Sequence, residues 1–231
     1  MKKNFLIVFV SSIFGLSLLF GCQKEKVTAS GELNGHSYVD LGLPSGTLWA
    51  TCNVGADNPK EEGDHYSWGE TRTKGSYSWN NYKFAQGGDG WNGYLNKYCT
   101  NAEYGVNGFT DYLTKLVASD DVATVLWGEG WRMPTKNELS ELFSECSWCH
   151  TKYHGTEGVL FTGFNGNLLF FPDVEYGCED GIDGGGGYWS SILDTERPTC
   201  AYRLYVHYDS YEIWSEGRNY GFSVRPVASG R

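Results

Sequence analysis

The apolar positions of this chain fall mostly into short runs of period two, broken by one stretch with the period of a helix. That stretch is T-K-N-E-L-S-E-L-F-S-E-C at 135–146, where Leu139, Leu142, Phe143 and Cys146 stand at i, i+3, i+4 and i+7 and make one stripe. Thr135 and Glu138 form a capping box, and Pro134 keeps the residue before it extended, so a helix is predicted to start sharply at Lys136. Trp127 and Trp131 just upstream are expected to roof it with indole rings. Strands are predicted at 37–41 and 47–54 around a Pro-Ser-Gly turn, at 64–70, and in a hairpin over 159–172 turning at Asn165-Gly166. Three more follow at 187–191, 200–208 and 221–227. In the middle one Tyr202, Leu204, Val206 and Tyr208 share a face, and Arg203, Tyr205 and His207 share the other. Asp120 is expected to cap a short helix that turns Val122, Ala123 and Leu126 inward. Residues 71–110 hold no period and read as surface loops; their aromatics either bind a ligand or, the preferred reading, peg the loops to the body.

The first residues read as an address. Lys2 and Lys3 precede an apolar run over 5–20, too short and wrongly flanked to span a bilayer, which ends at Gly21-Cys22. This resembles a bacterial lipoprotein signal: residues 1–21 would be removed and the Cys22 thiol acylated. An ordinary secretory signal with a chance cysteine is the alternative. Acylation would anchor the chain in the cell envelope, at the outer membrane, with the membrane as a partner through the lipid. Residues 22–35 then read as a flexible tether and 36–228 as one domain.

Charge narrows the partners. The chain carries 18 basic and 28 acidic residues, a formal net charge of -10, and no basic stripe with interleaved aromatics, so no nucleic-acid partner is expected. With 31 Gly, 16 Tyr and 9 Trp it is loop-rich and aromatic-rich.

Little in the sequence carries chemistry. Cys146-Ser147-Trp148-Cys149-His150 has the C-x-x-C-H spacing of covalent haem attachment, with Met133 or His154 as the remaining axial candidate; Cys146, Cys149, His150 and His154 also have zinc-ligand types. Cys146 is already explained by the helix stripe, so buried or disulfide-bonded thiols are the reading adopted. Six cysteines besides Cys22 form an even set whose pairing stays open. Calcium near Glu179, Asp180 and Asp183 is weighed against a solvated acidic loop, and the loop is preferred. There is no G-x-S-x-G elbow and no triad spacing, so no cofactor and no catalysis are expected.

Five motifs in order, Y-V-D-L-G-L-P-S-G-T-L-W-A-T-C-N-V-G-A, Y-S-W-G-E-T, W-R-M-P-T-K-N-E-L-S-E-L, G-Y-W-S-S and G-F-S-V-R-P-V, resemble the Fibrobacter succinogenes major paralogous domain, a family abundant in lipoproteins of Bacteroidetes. The resemblance covers about 37–227. That family is related to the formylglycine-generating enzymes, so it implies a β-rich α+β fold of C-type lectin-like kind, with an irregular sheet core, two short helices and long loops. It does not carry their activity over: those enzymes hold copper on two late cysteines, and here only Cys200 follows Cys178. The calcium tripeptides of C-type lectins are absent too, and Trp91-Asn92-Gly93 stops short of the acid.

The function expected is a non-catalytic binding module at the cell surface, for a protein or glycan. Its ligand face is placed on Asp194, Arg203, Tyr205, His207, Tyr211, Trp214, Asn219 and Tyr220, residue types that combine contact area with adaptable hydrogen bonds. Related lectin-like domains are diversified on this C-terminal face. A degenerate oxidase or haem protein, and a fimbrial or envelope subunit, are the rival readings.

Overall fold

Short strands need partners from elsewhere in the chain, and here the partners are far apart. A computed structural model describes residues 26–87, 93–174, 187–207 and 210–230. Strands β1 (Gly31–Leu33), β2 (His36–Asp40) and β3 (Thr47–Ala50) open it, and β4 (Ala85–Gln86) with β5 (Tyr94–Leu95) makes a small hairpin. Helix α1 (Val122–Trp127), strand β6 (Trp131–Arg132) and helix α2 (Lys136–Glu145) follow. Then come β7 (Ser147–Tyr153), β8 (Thr156–Thr162), β9 (Leu168–Pro172), β10 (Gly187–Leu193), β11 (Cys200–His207), β12 (Ser210–Gly217) and β13 (Val227–Ser229). The larger sheets are β1-β2-β3-β13-β6, β7-β8-β9 and β10-β11-β12, and all their pairs are antiparallel. The chain is thus a β-rich α+β protein with two α-helices among the described residues.

Strand alternation divides the interior in two. One core gathers Trp68, Tyr82, Phe84, Tyr98, Trp131, Trp189 and Phe222; the other gathers Trp49, Leu139, Leu142, Phe143, Phe161, Phe171 and Leu204. Neighbouring residues of one strand face opposite cores, as Trp49 and Ala50 do on β3 and Tyr188 and Trp189 on β10. The β10-β11-β12 sheet therefore lies between the cores.

The capping box forms: the Thr135 hydroxyl accepts from the Glu138 amide at 3.2 Å, and the Glu138 carboxylate accepts from the Thr135 amide at 2.8 Å. Leu139, Leu142 and Phe143 are buried beneath α2, each such burial contributing about 1.5–3 kcal/mol. The roof is different from the one expected. Trp127 and Trp131 pack edge to face in the first core, while Trp148 and Tyr211 cover Phe143.

Several boundaries move for physical reasons. Asp121, not Asp120, caps α1, accepting from the Thr124 amide at 3.1 Å; the Asp120 carboxylate is instead held by Lys83, Lys97 and Tyr98. Trp127 then turns inward and Leu126 is half exposed. Strand β3 stops at Ala50 because the Arg225 guanidinium donates to the carbonyls of Ala50 and Thr51. Residues 64–70 make one bridge, Tyr66 with Phe222, in place of a strand, and 221–227 contributes two bridges before the short β13. The hairpin turns as predicted, Gly166 donating to the Gly163 carbonyl at 2.9 Å with a φ of 83° that suits glycine.

In 71–110 the described aromatics divide. Trp79, Tyr82, Phe84 and Tyr98 are buried pegs, while Tyr94 and Phe109 stay exposed. The stretch expected as a loose tether is packed from Val27, which is buried, its amide donating to the Tyr153 hydroxyl at 3.2 Å. Among the described residues no helix is long and apolar enough to cross a membrane.

Candidate functional site

The β11–β12 pair decides which of the eight expected ligand residues can meet. Its register sets Arg203 opposite Trp214, Tyr205 opposite Glu212 and Ala201 opposite Glu216. Directly opposed residues share a face, so Arg203, Tyr205, Glu212, Trp214 and Glu216 stand together. Tyr211 is opposite Val206 and points the other way, toward α2. There its ring stacks on Phe143 with centroids 3.7 Å apart, which makes it part of the packing.

Three of the eight residues are interior. Asp194 is 5% exposed and accepts from Ser215 Oγ at 2.7 Å, the Glu196 and Arg197 amides at 3.1 and 3.2 Å, and Arg197 Nε at 3.2 Å. Burial alone would raise its pKa, but these donors outweigh it and hold the carboxyl below its ordinary value. Arg197 also donates to the Ser215 hydroxyl. Asp194 therefore knots the β10–β11 turn. Asn219 is buried; its main-chain carbonyl accepts from Ser67 Oγ at 2.7 Å, and its Oδ1 has no partner among the described residues. Arg203 is 5% exposed, with its guanidinium 4.7 Å from the Phe222 ring, 5.2 Å from the Tyr205 ring and 3.7 Å from Glu216 Oε2. It is the floor of the face. Tyr220 is half-buried against the first core.

What reaches solvent is Trp214, at 51% exposure in the middle of a regular strand, flanked by exposed Glu212 and half-buried Tyr205 and Glu216. For His207 the described part is its backbone, opposite Ser210. Glu212 and Glu216 went unforeseen, although the alternation Y-E-I-W-S-E over 211–216 carries the strand signal that places them beside Trp214.

No family model, curated protein or solved structure matches the chain.

The C-x-x-C-H stretch lies at the end of α2 and along β7, and its members have different surroundings. Cys146 is buried under the helix, Cys149 is exposed, and His150 is hydrogen-bonded with Asp173 at 2.8 Å. Burial, with Glu141 and Glu145 nearby, pushes the Cys146 thiol up to about 11, away from the thiolate that ligation needs. Among the described residues no three His, Cys, Asp or Glu side chains gather to hold a metal ion, and no disulfide joins Cys52, Cys99, Cys146, Cys149 and Cys200. Cys22, Trp91, Asn92, Cys178, Glu179, Asp180, Asp183 and Tyr208 lie outside the described residues. A cavity of about 350 Å³ beside α2 is lined by Ser45, Glu138 and Glu141 among others. Its carboxylates are already taken: Glu141 accepts from the Ser45 amide and hydroxyl, and Glu138 from Arg132, Thr135 and Thr47.

Proposed function

We propose that the chain is a non-catalytic, lipid-anchored binding module of the bacterial cell envelope, of C-type lectin-like kind, which recognises a surface protein or glycan through the exposed part of β12 around Trp214 and the β11 residues beside it. The observation that carries this reading is Trp214: a large ring left half exposed on a regular strand, directly across from Arg203, whose guanidinium lies against two aromatic rings. A rigid aromatic with carboxylates on either side in sequence offers stacking area and directional acceptors at little entropic cost. The buried hydrogen bonds of Asp194 support the same reading, since they fix the β10–β11 turn and hence the register of the face. The acyl anchor rests on the Gly21-Cys22 signal.

The test is a screen of the mature chain, made soluble by Cys22→Ser, against immobilised glycans and envelope or host surface proteins. Trp214→Ala is expected to weaken any ligand found at least tenfold, about 1.4 kcal/mol, because a central aromatic carries a large share of such an interface. Binding untouched by Trp214→Ala would refute this face.

A further inference from the structure

The N-terminal segment enters the domain at a fixed place. Val27 is 7% exposed, packs in the second core and donates its amide to the Tyr153 hydroxyl at the end of β7. Three residues later Ser30 Oγ accepts from the Asp40 amide at 2.9 Å and from Asn167 Nδ2 at 3.4 Å, and Asn167 follows the β8–β9 turn. Traced backwards from Ser30 to Val27, the chain therefore runs away from the β8–β9 turn and toward the β7–β8 turn.

Cys22 is five residues before Val27. Five residues span at most about 18 Å even when fully extended. An acyl chain on Cys22 would therefore hold the point where the chain enters the domain within about 18 Å of the bilayer. The structure assigns the β7–β8 turn, Lys152, His154 and Gly155, as the surface that lies against the bilayer in which the chain is anchored. This rests on the acyl-anchor reading and goes beyond it by fixing an orientation.

The turn itself is open: Gly155 has no heavy atom near the position a side chain would take, and His154 beside it is exposed. The β8–β9 turn, tipped by Phe164 at 98% exposure, stands about 20 Å away along β8.

A genetically encoded fluorescent amino acid at position 154, or at position 164, reads the orientation in the full-length lipoprotein, reconstituted in phosphatidylethanolamine–phosphatidylglycerol vesicles with a headgroup quencher. Quenching at 154 is expected to exceed that at 164 about threefold. A 20-residue Gly-Ser insert after Glu25 should bring the two to the same low level. Equal quenching without the insert, or quenching at 154 that ignores it, overturns the orientation when mass spectrometry shows Cys22 acylated. An unacylated mature chain overturns the anchor reading, and the orientation with it.

Discussion

Arg218 is fully buried, and its guanidinium donates to the Tyr82 hydroxyl at 2.9 Å and to the carbonyls of Tyr98, Pro198 and Lys97 at 2.8, 2.9 and 3.1 Å. It also lies 5.1 Å from the Trp68 ring, so one side chain joins the loop excursion of 71–110 to the last third of the chain. Arg218→Met keeps the volume but strands three carbonyls. A loss of about 3 kcal/mol or more in urea unfolding is expected, since each buried acceptor left without its donor costs about 1–3 kcal/mol. Glu138 is the other residue to test. Burial raises its pKa, but the Arg132 guanidinium at 2.8 and 2.5 Å and the Thr135 amide prevail and bring it to about 2. Its folded pKa is depressed, so its contribution is complete above the unfolded value near 4.5 and disappears as pH falls toward 2. Glu138→Gln should cost about 1–3 kcal/mol at pH 7, and the gap from the parent should narrow steadily between pH 5 and pH 2. A gap independent of pH would show that the ionised carboxylate is not what the cap requires.

At the scale of elements, Tyr211 and Trp214 separate packing from recognition. They are three residues apart on β12 yet face opposite ways. Tyr211→Ala removes a ring stacked on Phe143 and should cost about 1–2 kcal/mol, whereas Trp214→Ala should change the unfolding free energy measured in urea by less than about 0.5 kcal/mol. Equal losses would mean that both rings pack. The sequence lists these two residues together because type and proximity in the chain cannot report which face a strand presents once the strand itself is missed. Elements whose signals are local were legible: the capping box at Thr135 and the Asn165-Gly166 turn need only their neighbours. Strands β7 and β12 were not, since C-S-W-C-H draws attention to its thiols and imidazole, read as buried or disulfide-bonded, and S-Y-E-I-W-S-E-G to its aromatics as ligand groups, until a partner strand is known. Asp120 failed for the same reason, as its carboxylate answers to Lys83 and Lys97, far away in sequence. Among the ligand residues, Asp194, Arg203 and Asn219 were chosen by polarity, which does not distinguish an exposed donor from a buried strut.

Across the whole molecule, the thiols report how the interior is sealed. Cys149 is exposed, while Cys99 and Cys146 are buried and burial raises the pKa of both. A maleimide should modify Cys149 within the native chain and reach Cys99 and Cys146 only as the whole domain unfolds, which mass spectrometry of digests reads directly. Early labelling of Cys146 would mean that α2 lifts off by itself. The placement of β13 governs how such a body is made. That strand lies between β3 and β6, and it begins 95 residues after β6 ends. During synthesis both neighbours have emerged long before the piece that joins them, so the central sheet stays open until β13 has been made. A chain built this way is slow to close, and until β13 docks, the facing sides of β3 and β6 stay unpaired edges open to pairing with other strands.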